Sequence, residues 1–350
     1  MTKEFRFALF GCGGISRVHR EQIAKIDGAR LVAVADISEA NASAVAAKAD
    51  VDWYTDYQAM LARDDIDIVN IVTPSATHAD AIVAAARAGK HVIVEKPVDI
   101  AIDKAEFAIA ACRKAGVKLA VVSQHRFDDS TIRVKREIDS GKFGKLFLGQ
   151  AAVNWYRAQS YYDRAPWSGT WAMDGGGVLM IQALHTIDVL QYLMGPVKSV
   201  FAHTLTATHD RIEVEDVAVA AVTFANGAIG TISGTTSAYP GLSTRLELFG
   251  ELGTAVIEDD KLKQLYFRDA NEAGGMFGGV AANWAADAEV EPGQAHRRQF
   301  EDMLDAIRED REPLLNGEES LQVLKLILAM YKSAQTGEPV DLYETVAQHG

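Results

Sequence analysis

Two stretches hold residues whose types and spacing suit chemistry. In HVIVEKPVDI, residues 91–100, a valine and isoleucine run that reads as a buried strand stops in Glu95, Lys96 and Pro97. A lysine at the end of a desolvating strand has its charged form disfavoured, which moves the amine toward proton exchange, and an adjacent carboxylate holds it and moderates that shift. Proline lacks the N–H that a continuing strand needs, so the strand stops sharply. The alternative is a solvated Glu–Lys pair before a turn, worth little to stability. In DGGGVLMIQALHTIDVL, residues 174–190, Gly175 to Gly177 let backbone approach something closely at a helix start. Gln182, His185 and Asp188 or Val189 then fall on one stripe of the expected helix. A histidine there either packs or faces a substrate, and the residues alone leave both open.

A third stretch, FALFGCGGISRVHR, places Gly11, Gly13, Gly14 and Ile15 between a strand and a helix. Bare backbone N–H groups at a positive helix end suit a pyrophosphate. Glycines also serve any tight turn, and the third fingerprint position holds Ser16, so the loop alone is a weak signal. The second strand, RLVAVAD, ends in Asp36, where a dinucleotide fold needs an acid for the adenosine ribose hydroxyls. The same carboxylate repels a 2′-phosphate, and DISEA supplies no base after it, so NAD is expected over NADP. A further turn, TPSATH with Thr73, Pro74 and His78, follows the strand IDIVNIV at the carboxyl edge of the expected sheet, with His78 either a ligand or a helix-start residue.

The elements that must position these residues alternate up to about residue 123. Short β-branched runs are separated by helix-length segments, which means βαβ crossovers and a doubly wound parallel sheet over residues 1–123. Beyond it, residues 124–350 predict an α+β domain. Longer strands and the turns ANGA and GELG indicate a large, mostly antiparallel open-faced sheet; one helix, GVLMIQALHTIDVLQYLMG, interrupts it, and two helices close the chain and can pack back on the first domain. The Gly/Ala-rich stretch 269–293 reads as a long mobile connection. At 350 residues, 48% of them apolar, the chain is long enough for two such domains. Its formal charge of −13 disfavours nucleic acid and anionic membranes as partners. No long apolar segment or leader is seen, so a cytoplasmic location is expected. Cys12 and Cys112 are the only cysteines and read as free thiols. No histidine or carboxylate spacing suggests a metal.

The combination of GCGGIS, VADIS, TPSATH, EKP and GGGVLMIQALHTID, in this order, resembles the Gfo/Idh/MocA oxidoreductases over nearly the whole chain. The resemblance implies an NAD(H)-dependent enzyme that moves a hydride between nicotinamide and a secondary hydroxyl or ketone of a sugar, sugar derivative or cyclitol. It implies that Lys96 and His185 are catalytic, that Glu95, Lys96 and Arg126 adjoin the cofactor, and that the proline after Lys96 is commonly cis. Tyr156, Tyr161, Trp167, Gln182, Lys96 and His185 would meet the substrate, the aromatics covering a sugar ring while Arg157, Asp163, Arg164 and Asp174 bond hydroxyls. Tyr162 and Trp171 belong to the same aromatic group. A homodimer or homotetramer through the second sheet is implied as well. The family's carboxylate one turn before His185 is Ile181 here, which puts the inositol-dehydrogenase pattern in doubt. An NAD-dependent glycosidase of the same family and a noncatalytic NAD-binding regulator remain alternatives.

Overall fold

The computed structural model describes residues 4–268, 291 and 293–343. The connection expected over 269–293 lies almost wholly outside the described residues. The chain divides into two compact units, and residues 172–175 and 291–324 count with residues 1–124 in the first of them.

The first unit is built on six parallel strands: β1 (Phe5–Phe10), β2 (Ala29–Ala35), β3 (Asp52–Tyr54), β4 (Ile68–Ile71), β5 (His91–Val94) and β6 (Leu119–Val121). Their order is β3-β2-β1-β4-β5-β6. The order reverses between β1 and β4, and this is where the carboxyl ends of such a sheet open a crevice for a ligand. All four residues of β4 are buried, as are three of four in β5, because helices cover both faces of a parallel sheet. On one face Phe5, Phe7, Ile68 and Ile93 pack with Ile23 of the helix Ser16–Ile23 and with Phe300, Met303 and Leu304 of the helix Gln294–Glu309. The late helix thus belongs to the core under the glycine loop.

The second unit is built on eight strands: β7 (Leu146–Asn154), β8 (Val197–Leu205), β9 (Val217–Phe224), β10 (Ile229–Thr235), β11 (Thr244–Gly250), β12 (Gly253–Glu258), β13 (Lys261–Phe267) and β14 (Val340–Asp341). The order is β13-β12-β11-β7-β10-β9-β8-β14, with β7 and β10 parallel and the other pairs antiparallel. The expected turns are the hairpins: Gly227 takes φ +85° between β9 and β10, and Glu251–Leu252 joins β11 to β12. β9 alternates with period two, burying Ala218, Ala220, Val222 and Phe224 and leaving Val219 and Ala221 outside. The inner face packs on the helix Leu184–Met194; a Cβ on Gly149 of β7 would lie 2.8 Å from Met194 and 3.0 Å from Leu190. No single helix among the described residues is long and apolar enough to cross a membrane.

Candidate active site

The glycine loop is shaped for close approach. Gly11 has φ +104°, and a Cβ there would lie 2.7 Å from the Val72 carbonyl oxygen at the end of β4, so only glycine lets β1 turn beside its neighbour. Gly13 and Gly14 face open space, with no atom within 4 Å of where a Cβ would stand, and Ile15 after them is exposed at the helix start. The Asp36 carboxylate accepts from the Cys12 N–H at 2.7 Å and from the Ser38 N–H at 2.8 Å, which ties the end of β2 to the loop. Each oxygen keeps acceptor capacity. Exposed backbone N–H groups beside an oriented, half-buried carboxylate fit a dinucleotide: pyrophosphate at the loop and ribose hydroxyls at Asp36. Cys12 takes no part as a nucleophile, because burial and Asp36 push its thiol up to about 12.

The turns after β4 and β5 are locked together by His78. Its Nδ1 bonds the Pro97 carbonyl oxygen at 2.7 Å and its Nε2 the Thr73 carbonyl oxygen at 2.8 Å, with the ring buried. Both ring nitrogens face backbone carbonyls, and in the neutral form that burial favours only one of them carries the proton to donate, so His78 serves the turn as a helix-start residue. Thr73 and Pro74 stay partly exposed on this turn. Glu95 likewise turns inward, since its Oε1 meets His19 Nε2 at 3.0 Å and its Oε2 accepts the Lys96 backbone N–H at 3.1 Å. Burial alone would raise this carboxyl, but the His19 hydrogen bond and the neighbouring His19, Lys96 and His296 side chains outweigh it and hold it at about 2. Its side chain supports the Lys96 backbone from beneath.

Lys96 is half-buried, and the Lys96–Pro97 peptide is cis. Burial pulls its ammonium below the usual lysine range, while Glu95 and Asp174 pull the other way. Asp174, itself buried, is thus the second carboxylate that Lys96 feels. The residues alone offered Asp174 only as a hydroxyl ligand, because nothing in the sequence between two such distant positions signals the pairing.

In the second unit the helix expected through His185 splits into Val178–Ile181 and Leu184–Met194. Ile181 and His185 lie on separate helices, so the single stripe with Gln182 is corrected. Glu215 sets the first segment by accepting from the Gly177 and Leu179 N–H groups at 2.9 and 3.0 Å, and Tyr331 donates to it at 2.9 Å. The three glycines approach protein rather than ligand. A Cβ would lie 2.5 Å from Ile100 at Gly175, 2.1 Å from the Tyr331 hydroxyl at Gly176 and 1.8 Å from the Glu215 carbonyl oxygen at Gly177. His185 is half-buried with its ring edge-on to His125, centroids 5.2 Å apart. His125 is held by Asp128 at 2.7 Å and Asp260 at 3.2 Å; burial opposes its charge, but these carboxylates raise it overall. Arg126 forks onto Asp188 (Nε to Oδ2 2.9 Å, Nη2 to Oδ1 2.6 Å) and lies over the Tyr192 ring, so it fastens the His185 helix.

The aromatic segment divides by role. Tyr162 is buried with its hydroxyl on Thr236, and Trp171 bonds the Glu213 carbonyl through Nε1 and packs on Tyr331, so both serve packing. Asp163 pairs with Arg211. Tyr156 is exposed against Tyr239, and Trp167 is exposed. Two guanidiniums lie over the Tyr161 ring, Arg164 at 4.1 Å and Arg157 at 5.4 Å from its centroid, and its hydroxyl accepts from Gln182 Nε2 at 3.4 Å. Gln182 Oε1 is buried and has no hydrogen-bond partner among the described residues. Neither Arg157 nor Arg164 forms an ion pair among the described residues.

Residues 5–123 match the oxidoreductase family with an NAD-binding Rossmann fold, and residues 131–256 match the GFO/IDH/MocA C-terminal domain. An uncharacterized oxidoreductase of Bacillus subtilis, YrbE, is 31% identical over 266 residues, 75% of this chain and 76% of its own. The chain belongs to the Gfo/Idh/MocA oxidoreductase family. Within the family, the scyllo-inositol 2-dehydrogenase (NAD(+)) of Bacillus subtilis is 26% identical, over 98% of this chain and 97% of its own. Among solved structures, the WlbA dehydrogenase of Bordetella pertussis, in complex with NADH and UDP-GlcNAcA, is 34% identical with a TM-score of 0.85, covering 97% of this chain and 99% of that one. The NAD-binding Rossmann match spans the segment that holds the glycine loop and Asp36.

Proposed function

We propose that this Gfo/Idh/MocA chain is an NAD(H)-dependent dehydrogenase acting on a secondary hydroxyl or ketone of an anionic, nucleotide-linked sugar. The observation that carries the finer part is Arg157 and Arg164 over the Tyr161 ring, two guanidiniums without ion pairs among the described residues in a chain of net charge −13. A neutral cyclitol gives two arginines nothing to neutralise, whereas phosphates and a carboxylate do. The likeness to a dehydrogenase solved with UDP-GlcNAcA supports the same reading, and the inositol dehydrogenase relative supports chemistry at a ring hydroxyl.

When bound, the nicotinamide takes or gives the hydride. Neutral Lys96 accepts the hydroxyl proton at Nζ in the oxidation direction, and Glu95 and Asp174 stabilise the ammonium that results. His185 hydrogen bonds the reacting oxygen. With NADH present, UDP-GlcNAcA is expected to bind at least about tenfold more tightly than neutral hexoses or inositols in calorimetric titration, and Arg157→Ala or Arg164→Ala to weaken it about tenfold or more while leaving NADH binding unchanged. Equal affinity for a neutral sugar contradicts the anionic substrate. Lasting reduction of NAD by the sugar is also expected; release of a leaving group without it identifies a glycosidase.

Asp36 is assigned to the ribose. Asp36→Ser is expected to weaken NAD and narrow its advantage over NADP, since one change removes both the acceptors and the repulsion of a 2′-phosphate. A wild-type preference for NADP in fluorescence titration overturns the assignment. The reading includes a cytoplasmic homodimer or homotetramer through the outer sheet face, where Phe147, Val219 and Ile229 are exposed, and sedimentation of the purified chain decides the assembly.

A further inference from the structure

His19 lies three residues into the helix that follows the glycine loop and is wholly buried. Its Nε2 is 3.0 Å from Glu95 Oε1, and its Nδ1 is 3.1 Å from Asn70 Nδ2 on β4. An amide nitrogen only donates, so Nδ1 is the acceptor and the ring proton sits on Nε2, aimed at the carboxylate. Glu95 in turn holds the Lys96 backbone through its other oxygen. We propose that His19 is a positioning residue for the reaction, acting through Glu95 to set how readily Lys96 exchanges its proton, with Asn70 selecting the ring tautomer. The inference rests on the reading of Lys96 as the proton-exchanging group.

The physical basis is the distribution of one buried charge. The groups that face Glu95 are His19, Lys96, His296 from the helix Gln294–Glu309, and His78 from the helix His78–Arg87; those that face Lys96 are Glu95 and Asp174. A carboxylate whose charge is drawn toward an N–H on one side attracts an ammonium less strongly on the other. His19 therefore holds the Glu95 carboxylate in place while limiting how far it stabilises protonated Lys96. Without the ring N–H, the carboxylate charge falls more fully on Lys96, and the ammonium persists to higher pH. His19 and Glu95 also lie close to His296, their ligating atoms within 4.8 Å of one another, but the direct His19–Glu95 hydrogen bond uses the atoms that an ion would need.

The test reads Lys96 itself in the full chain without cofactor or substrate. The rate of Lys96 acetylation by acetic anhydride is followed against pH by mass spectrometry, alongside the exposed lysines of the same chain. In wild type the midpoint for Lys96 is expected below that of the exposed lysines. His19→Leu moves it up by about one pH unit or more, and His19→Gln, whose amide donates to Glu95, returns it most of the way. Glu95→Gln, which removes the carboxylate charge, moves it down and serves if His19→Leu does not fold. An unchanged midpoint in a folded His19→Leu, or in Glu95→Gln, overturns the role of His19. A wild-type midpoint equal to that of the exposed lysines overturns the reading of Lys96 instead.

Discussion

Lys96→Met lowers turnover by about 10²-fold to 10⁴-fold and leaves NAD affinity near that of wild type, the loss expected on removing a positioned acid/base group. Methionine keeps much of the length and apolar stem of lysine, so the strand end is still filled, but it has no proton to give or accept. The surroundings make the lysine useful. Burial disfavours its ammonium, and Glu95 and Asp174 restore part of that charge, so Nζ can change state during a catalytic cycle. In the oxidation direction the rate rises with pH as Lys96 loses its proton, and the rise disappears in Lys96→Met. His185→Ala has a smaller effect, because a hydrogen-bonding group orients the hydroxyl without taking its proton. Steady-state kinetics across pH, on protein shown by fluorescence titration to bind NAD, checks both variants. A limb that survives in Lys96→Met and vanishes in His185→Ala assigns the base to His185.

Arg126→Met destabilises the chain by about 3–5 kcal/mol in denaturant unfolding, because it strips the guanidinium from a carboxylate buried to 2% side-chain exposure. Arg126 and Asp188 meet through two hydrogen bonds, and the guanidinium also lies 4.5 Å from the Tyr192 centroid. The double variant Arg126→Met with Asp188→Leu regains a large part of the loss, since neither charge of the pair is then left without its partner. Asp188 is three residues after His185 on the helix Leu184–Met194, so the single variant also loosens the mounting of His185. A loss below about 1 kcal/mol would mean that the pair is solvated in solution and does not anchor the helix.

The alternation of β-branched runs with helical segments made the parallel sheet legible, because covered strands leave near-continuous apolar stretches such as IVNI and HVIV. The hairpins were legible in their turn residues. Lys96, Asp36 and the glycine loop were legible as motifs because each stands at a strand end that the local residue pattern marks. What escaped is which distant residues pair with one another. His19 meets Glu95 from 76 residues away, and Arg126 meets Asp188 from 62. The break before Leu184 carries no proline or glycine; it follows from Glu215 gripping the Gly177 and Leu179 N–H groups across 38 and 36 residues. The glycine triplet signalled close approach correctly, but sequence cannot say to what, and the partners proved to be Ile100, Tyr331 and Glu215. His78 stayed open in the sequence because a histidine after a strand of this sheet suits a ligand as well as it suits backbone carbonyls.

Tyr161 and its flanking arginines belong to a surface segment carried by the four-residue helix Gln159–Tyr162, with Arg164 and Trp167 beyond it. Lys96, by contrast, ends a buried strand and is backed by Glu95, His19 and Asn70. Substitutions on the exposed segment shift stability by about a few tenths of a kcal/mol, whereas changes beneath Lys96 leave buried polar groups without partners. On the proposed reading, evolution can therefore rewrite which molecule this scaffold accepts at little thermodynamic penalty while the residues beneath Lys96 are kept. Divergence among descendants of one ancestral fold should accumulate around residues 155–167, and paralogues with new metabolic roles should differ there first.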